Sequence, residues 1–463
     1  MTSRIERDSI GDMAIPADAD YGIHTARAAE NFPITGILLR HYPTFVQSLA
    51  MTKKAAAMAN RDLGALKPEI AQAIISACDL VIAGDGLSQF NIDMLQGGAG
   101  TSTNMNANEV IANIALKLMG RPRGDYAAVN PNDHVNLSQS TNDVYPTAIR
   151  LTVLRGCPEL IAAQKALKDA LLAKASEFDD VIKVGRTQLM DAVPMRLGSE
   201  FRAFAVMVGE DIDRLGEFAN LLREINLGGT AIGTGINTPA GYSQLVIRHL
   251  SDISGVALVG ASDMIEATSD TGAFVSFSGV LKRIAVKLSK ICNDLRLLNS
   301  GPRAGFGEIK LPAVQAGSSI MPGKVNPVIP EVVNQIAFQV IGNDLTVTLA
   351  AEAGQLQLNA MEPVIVLNIL QSMRMLINGM NVLRDKCVVG IEADRERCRD
   401  LLENSLVAVT ALNPYIGYAE ASRVAKTALK MRHSLRDVVL AEGLMTEAQL
   451  EQAFAPETLL GQR

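Results

Sequence analysis

The run Gly317-Ser318-Ser319-Ile320-Met321-Pro322-Gly323-Lys324-Val325-Asn326-Pro327 sets two adjacent hydroxyls, a cation and an amide on backbone broken by glycine and proline. Irregular backbone loaded with reactive side chains is where catalytic and binding groups are usually displayed. Three more segments are dense in small polar residues: 97–104 (GGAGTSTN), 138–143 (SQSTND) and 185–188 (GRTQ). Glycine lets backbone N–H groups approach a ligand, and Thr, Ser and Asn add neutral donors that can surround a carboxylate. Any one of the four segments also fits a turn or a helix cap. Taken together they describe a pocket for a small anion.

Two familiar chemistries fail on spacing. A phosphate-binding P-loop has four residues between its glycines and Ser or Thr after the lysine, whereas Gly317 and Gly323 bracket five residues and Val325 follows Lys324. A hydrolase nucleophile elbow frames its serine as Gly-x-Ser-x-Gly, and neither Ser318 nor Ser319 is framed so. What remains is a hydroxyl able to act as a base beside one cation, in a chain without metal-site or nucleotide signatures. That suits cofactor-free abstraction of a proton next to a carboxylate. The enediolate so formed carries two charges on one group and needs several oriented donors, for which Thr101, Ser140, Thr141 and Ser319 are candidates. A serine hydroxyl is a poor base at neutral pH, so Ser318 requires backbone N–H groups and positive charge that favour its alkoxide.

The elements that must position these groups read as helices. The 463 residues exceed one core and suggest two or three domains. Hydrophobic residues make up 48% but aromatics only 4%, with no Trp, as in helix bundles. Residues 159–184 and 280–300 lack Gly and Pro over lengths far beyond a strand. In the second, Leu281, Ile284, Leu288, Ile291, Leu295 and Leu298 form a heptad seam, which either packs within one subunit or joins several identical chains. Shorter helices are predicted at 44–58, 68–83 and 107–119, with Pro68 in a first turn and Gly120 as a stop. Residues 364–377 are apolar but too short to span a bilayer, and read as a buried helix. After about Asp394 the chain breaks into short helices, the last opening with the capping box at Thr446–Gln449. The expected domains are 1–140, 141–395 and 396–463.

A net charge of −6 without basic blocks argues against nucleic acid, and nothing marks a membrane or secretory segment. Five scattered cysteines, with no histidine at ligand spacing, read as reduced thiols of a cytoplasmic protein without a metal site.

The loop at 317–327 resembles the signature of the aspartase/fumarase superfamily, lyases that release fumarate from succinyl-type substrates. The similarity extends to 21–25 (YGIHT), 96–106, 130–136 (NPNDHVN), 185–194 and 326–331 (NPVIPE), nearly the whole chain. Within the superfamily it resembles the aspartate ammonia-lyases. The resemblance implies an all-α, three-domain subunit whose long central helices form a multi-helix core in a homotetramer, with each active site shared by three subunits. It implies reversible deamination of L-aspartate to fumarate and ammonia with no required cofactor; activation by a divalent cation is not readable from the sequence. Position by position, Ser318 matches the general base that takes the β-carbon proton. Thr101, Ser140, Thr141 and Ser319 match the donors to the β-carboxylate, and Thr187, Lys324 and Asn326 the binders of the α-carboxylate. Asn142 matches the contact to the departing amine.

Fumarases typically carry His after the threonine matching Thr187; this chain has Gln188, placed beside the substrate. His24 stands where fumarases commonly show Gln. These two positions weigh against one alternative, a fumarate hydratase; the presence of Ser318, Ser319, Lys324 and Asn326 weighs against the other, an inactive helical homologue. His134 reads as structural support rather than a catalyst, and Glu331 and Glu362 remain either supporting carboxylates or helix-end charges.

Overall fold

Of the two long stretches free of Gly and Pro, one is helical up to Leu298 and the other departs from helix earlier in its length. In the computed structural model, which describes residues 2–460, Gly272–Leu298 is a single helix and all six residues of the heptad seam are buried within the chain. The other stretch lies in the helix Thr141–Glu177, whose 37 residues span about 55 Å. It stops short of residue 184. Asp179 and Asp180 are unfavourable at the negative end of a helix dipole, and beyond them Ile182–Thr187 runs as a strand paired antiparallel with Met190–Arg196. The predicted helix therefore ends in a β-hairpin, and that hairpin carries residues 185–188.

Three further long helices are Leu197–Ala219, Val328–Glu352 and Glu362–Lys386. The last contains the apolar stretch 364–377, with Ile365, Val366, Ile369 and Leu376 at most 1% exposed. The shorter helices form at Pro43–Asp62, Pro68–Ala83 and Thr101–Leu118, and Gly120 takes the left-handed conformation just past the third. Strand is confined, among the described residues, to four two-stranded sheets.

The chain packs into two units, and each of the five long helices gives part of its length to each. One unit takes the chain up to Ile161, then Asp213–Arg283 and Phe338–Leu376. Its core sets Phe45 edge-on to Tyr145, with ring centroids 5.7 Å apart. The other takes Ala162–Ile212, Ile284–Ala337 and the chain from Ile377 on. There Phe178, Phe201 and Phe204 pack edge to face, and Leu412, Val424, Leu435, Val439 and Leu450 form a separate small core. Thr446 and Gln449 make the expected capping box, although a short turn of helix, Pro456–Leu459, follows that helix. The sequential division at 140 and 395 is a partition of a different kind, which we keep as a proposal; its residues 461–463 lie outside the described residues.

No helix among the described residues is long and apolar enough to cross a membrane.

Candidate active site

In the first unit, two helix starts carry the neutral donors. Gly98, Ala99 and Gly100 all take positive φ before Thr101 opens its helix. A Cβ on Gly100 would lie 2.5 Å from the Tyr145 ring, so only glycine lets this helix start pack against the Thr141–Glu177 helix one turn past Thr141. Asn104, one turn after Thr101, donates from Nδ2 to Thr141 Oγ1 at 3.1 Å. Ser140 Oγ accepts the Asn142 N–H at 3.2 Å, and Asp143 Oδ1 accepts the Ser140 N–H at 3.0 Å. The proton of each hydroxyl is left over, since a hydroxyl that accepts one bond still has its own hydrogen to give.

Asn142 is held through a defect in the helix. Pro146 has no N–H to offer the Asn142 carbonyl, and that carbonyl takes Asn226 Nδ2 at 3.0 Å instead. Asn142 Nδ2 donates to the Ala231 carbonyl at 2.7 Å, which leaves Oδ1 to accept from a donor such as an ammonium. The loop supplying these partners hangs on the buried Asp143, whose Oδ2 accepts the N–H of Gly228 and of Thr230, each at 3.0 Å. Burial pushes the Asp143 carboxyl up to about 6.

In the second unit, Thr187 and Gln188 stand exposed at the hairpin tip, where Gln188 and Leu189 both have positive φ, the geometry of a two-residue turn. Beneath the tip, Glu308 is wholly buried and bonds Lys183 and Arg186, each at 2.8 Å. The Arg186 guanidinium also lies 4.2 Å from the Phe306 ring centroid. Gly185, at the bulge between Val184 and Arg186, has no room for a Cβ, which would sit 2.7 Å from the Val193 carbonyl.

The signature loop closes on itself at its neck. Gly317 N–H donates to the Lys324 carbonyl at 3.0 Å, and Asn326 Nδ2 donates to the Gly317 carbonyl at 2.6 Å. Asn326 thus uses its amide on the loop, an anchoring task that the resemblance did not indicate. Ser318 Oγ accepts two backbone N–H groups, from Ile320 at 3.1 Å and Met321 at 2.8 Å. Ser319 and Lys324 are exposed, and Lys324 and Asn326 line a groove of about 470 Å³ with Arg296, Lys310, Glu331 and Asp394.

His134 accepts the Asn130 N–H at Nδ1, 2.9 Å away, within the π-helical turn Pro131–Val135. His24 is exposed, with its backbone N–H held by the buried Glu109 at 2.8 Å. Glu362 is buried near Arg150, and burial holds its carboxyl up at about 8. Sequence reasoning missed Lys53, Glu109 and Glu308, buried charges behind the polar segments, and gave no role to Asp143, which lies within one of them. Among the described residues, no three His, Cys, Asp or Glu side chains cluster as metal ligands would.

Residues 11–342 match the family model described as Lyase, and 409–461 that of the fumarase C C-terminus. An aspartate ammonia-lyase from Pseudomonas aeruginosa is 59% identical over 463 residues, covering 100% of this chain and 98% of its own. The aspartate ammonia-lyase of Escherichia coli is 54% identical, covering 99% and 96%. Among solved structures, a fumarate lyase:delta crystallin from Brucella melitensis bound to cobalt is 57% identical with a TM-score of 0.96, covering 99% of both chains. A class II fumarase from Schistosoma mansoni reaches a TM-score of 0.93 at 33% identity, covering 100% of both. With family matches across most of its length and aspartate ammonia-lyases 54–59% identical end to end, the chain belongs to the aspartate ammonia-lyases of the aspartase/fumarase superfamily.

Proposed function

We propose that this carbon–nitrogen lyase converts L-aspartate reversibly to fumarate and ammonia, with Ser318 as the base. The Ser318 alkoxide takes a proton from the β-carbon, and the C–H electron pair moves into the β-carboxylate as an enediolate. Thr101, Ser140, Thr141 and Ser319 donate to that group, while Thr187, Lys324 and Asn326 hold the α-carboxylate, Lys324 by its charge. When the pair returns to form the carbon–carbon double bond, the C–N bond breaks. Ammonia leaves past Asn142 Oδ1, with Gln188 beside it where a hydratase would carry histidine.

The observation that carries this reading is the pair of N–H groups on Ser318 Oγ. They stabilise an oxyanion and so lower the cost of making the alkoxide. No electron is transferred and every charge falls on a group with donors, so no metal or other cofactor is required.

We further propose a homotetramer whose active sites draw segments from three subunits. What supports it is an apolar stripe on the Val328–Glu352 helix, where Phe338 is 64% exposed and Leu345 and Leu349 are 60% exposed, with Ile341 between them. Side chains of that size on one face call for a partner surface. The five cysteines are free and buried, in keeping with a cytoplasmic enzyme.

Ultraviolet absorbance of fumarate tests the reaction, with L-aspartate and L-malate offered separately. Fumarate from aspartate and not malate is expected, and Ser318→Ala should abolish it while leaving the assembly intact. Turnover by that variant would remove Ser318 as the base; fumarate from malate alone would make the chain a hydratase.

A further inference from the structure

Lys53 is fully buried in the middle of the Pro43–Asp62 helix, 0% exposed, with no carboxylate in ion-pair contact among the described residues. Such a site is costly for an ammonium. Its Nζ donates to Asn136 Oδ1 and to Gln139 Oε1, each at 2.9 Å. Gln139 directly precedes Ser140, and Asn136 Oδ1 is met by the same Asn104 amide that bonds Thr141.

An ammonium can only donate, so with Lys53 protonated Asn136 must turn its oxygen toward Nζ. Once it does, every other side chain meeting that oxygen must come as a donor. Asn104 Nδ2 does so at 3.1 Å and Asn108 Nδ2 at 3.2 Å. The same Asn104 Nδ2 donates to Thr141 Oγ1. This polarity leaves Asn104 Oδ1 and Asn108 Oδ1 buried without partners among the described residues. An isolated amide would avoid that by flipping, and a flipped Asn104 would take the Thr141 proton for itself. The observed direction is the one that keeps the Thr141 proton available.

We propose that Lys53 is a positioning residue for the β-carboxylate donors: it fixes the hydrogen-bond direction from Asn136 through Asn104 to Thr141, and sets a positive charge behind them. This rests on the reading above, in which Thr141 and Ser140 meet a group that becomes doubly charged. The cluster's own donors are neutral, so a buried cation in the layer behind acts most strongly on the intermediate.

The charge is responsive. Burial brings the Lys53 ammonium down to about 7, opposed by the buried Asp143 carboxyl and by Cys78. A dianion bound in front of Ser140 and Thr141 stabilises the ammonium, so binding near neutral pH draws a proton onto Lys53.

The test uses the full-length protein with succinate as an unreactive dicarboxylate and L-aspartate as substrate. Calorimetry in buffers of different ionisation enthalpy should show succinate binding to wild type with uptake of part of a proton near pH 7, and Lys53→Met should lose that uptake. Its kcat should fall by about 10²–10³, the effect of one oxyanion donor, with a smaller change in KM. Asn104→Asp, which can only accept, should reproduce the loss in kcat with Lys53 intact and so answers for a Lys53 variant that does not fold. Wild-type uptake that persists in Lys53→Met, or Asn104→Asp at wild-type kcat, overturns the proposal while the lyase reading stands. Wild type that makes no fumarate from aspartate overturns both.

Discussion

Replacing Gly317 with alanine should cripple the signature loop without unfolding the protein. A methyl at this position would lie 2.5 Å from the Lys324 carbonyl oxygen, 2.6 Å from Asn326 N and 2.8 Å from Val325 Cα. All three are backbone atoms, so no side-chain rotation relieves the clash and the neck must open. Opening loses the Gly317–Lys324 and Asn326–Gly317 hydrogen bonds, at about 0.5–1.5 kcal/mol each. The sum, about 1–3 kcal/mol, lowers the population of the closed neck by about 5- to 150-fold. Because Ser318 and Lys324 lie on opposite sides of that neck, kcat/KM for aspartate should drop by a similar factor. The loop is largely exposed, Ile320 being 87% accessible, so the thermal midpoint should hardly move. The assay is steady-state fumarate absorbance beside a thermal melt. Catalysis within twofold of wild type would refute the argument that the closed neck sets the base and the cation; a collapsed midpoint would show instead that Gly317 serves the fold.

Three further perturbations have definite expectations. Glu308→Gln leaves Lys183 and Arg186 without their shared buried carboxylate, and should cost about 3–5 kcal/mol in a denaturant titration; a cost below about 1 kcal/mol would mean Glu200 alone suffices for Lys183. Burial holds Glu362 at about 8 against an ordinary 4.5, so across that window the folded chain retains a proton that the unfolded chain releases, and stability falls as pH rises. Glu362→Gln should flatten that part of the midpoint-against-pH curve, and an unchanged slope would sink the assignment. Phe338→Asp combined with Leu345→Asp should shrink the assembly in sedimentation; an unaltered mass would show that the stripe is not an interface.

The signature loop was legible because its backbone needs particular residues: glycine where a Cβ has no room, serine where N–H groups converge. The hairpin at 182–196 was not, since the absence of Gly and Pro from 159 to 184 says nothing about a turn made by two aspartates. The heptad seam was legible as packing, yet its six residues are covered within the chain. The surface that calls for a partner lies instead on the Val328–Glu352 helix, where Phe338, Ile341, Leu345 and Leu349 recur three and four apart beside a second apolar stripe, Val333, Ala337, Val340 and Val347, that is buried within the chain, so spacing alone does not say which stripe stays exposed.

Lys53 and Lys54 explain most sharply why buried charge escapes sequence reading. Side by side in a helix, they point about 100° apart. Lys54 reaches the exposed Asp79 at 2.5 Å, as a surface lysine would. Lys53 turns inward to two amide oxygens. Composition treats the pair alike; spacing places Lys53 in line with Val46, Leu49 and Ala56, and the packing of the Pro43–Asp62 helix against Pro68–Ala83 and Tyr242–Ser254 buries that face. Candidate donors could be named from the sequence, because hydroxyl and amide types state what they can do. On the proposal above, which way each proton points depends on a lysine whose residue type announces a surface charge, and a pocket that donates to a dianion works only when that direction is set.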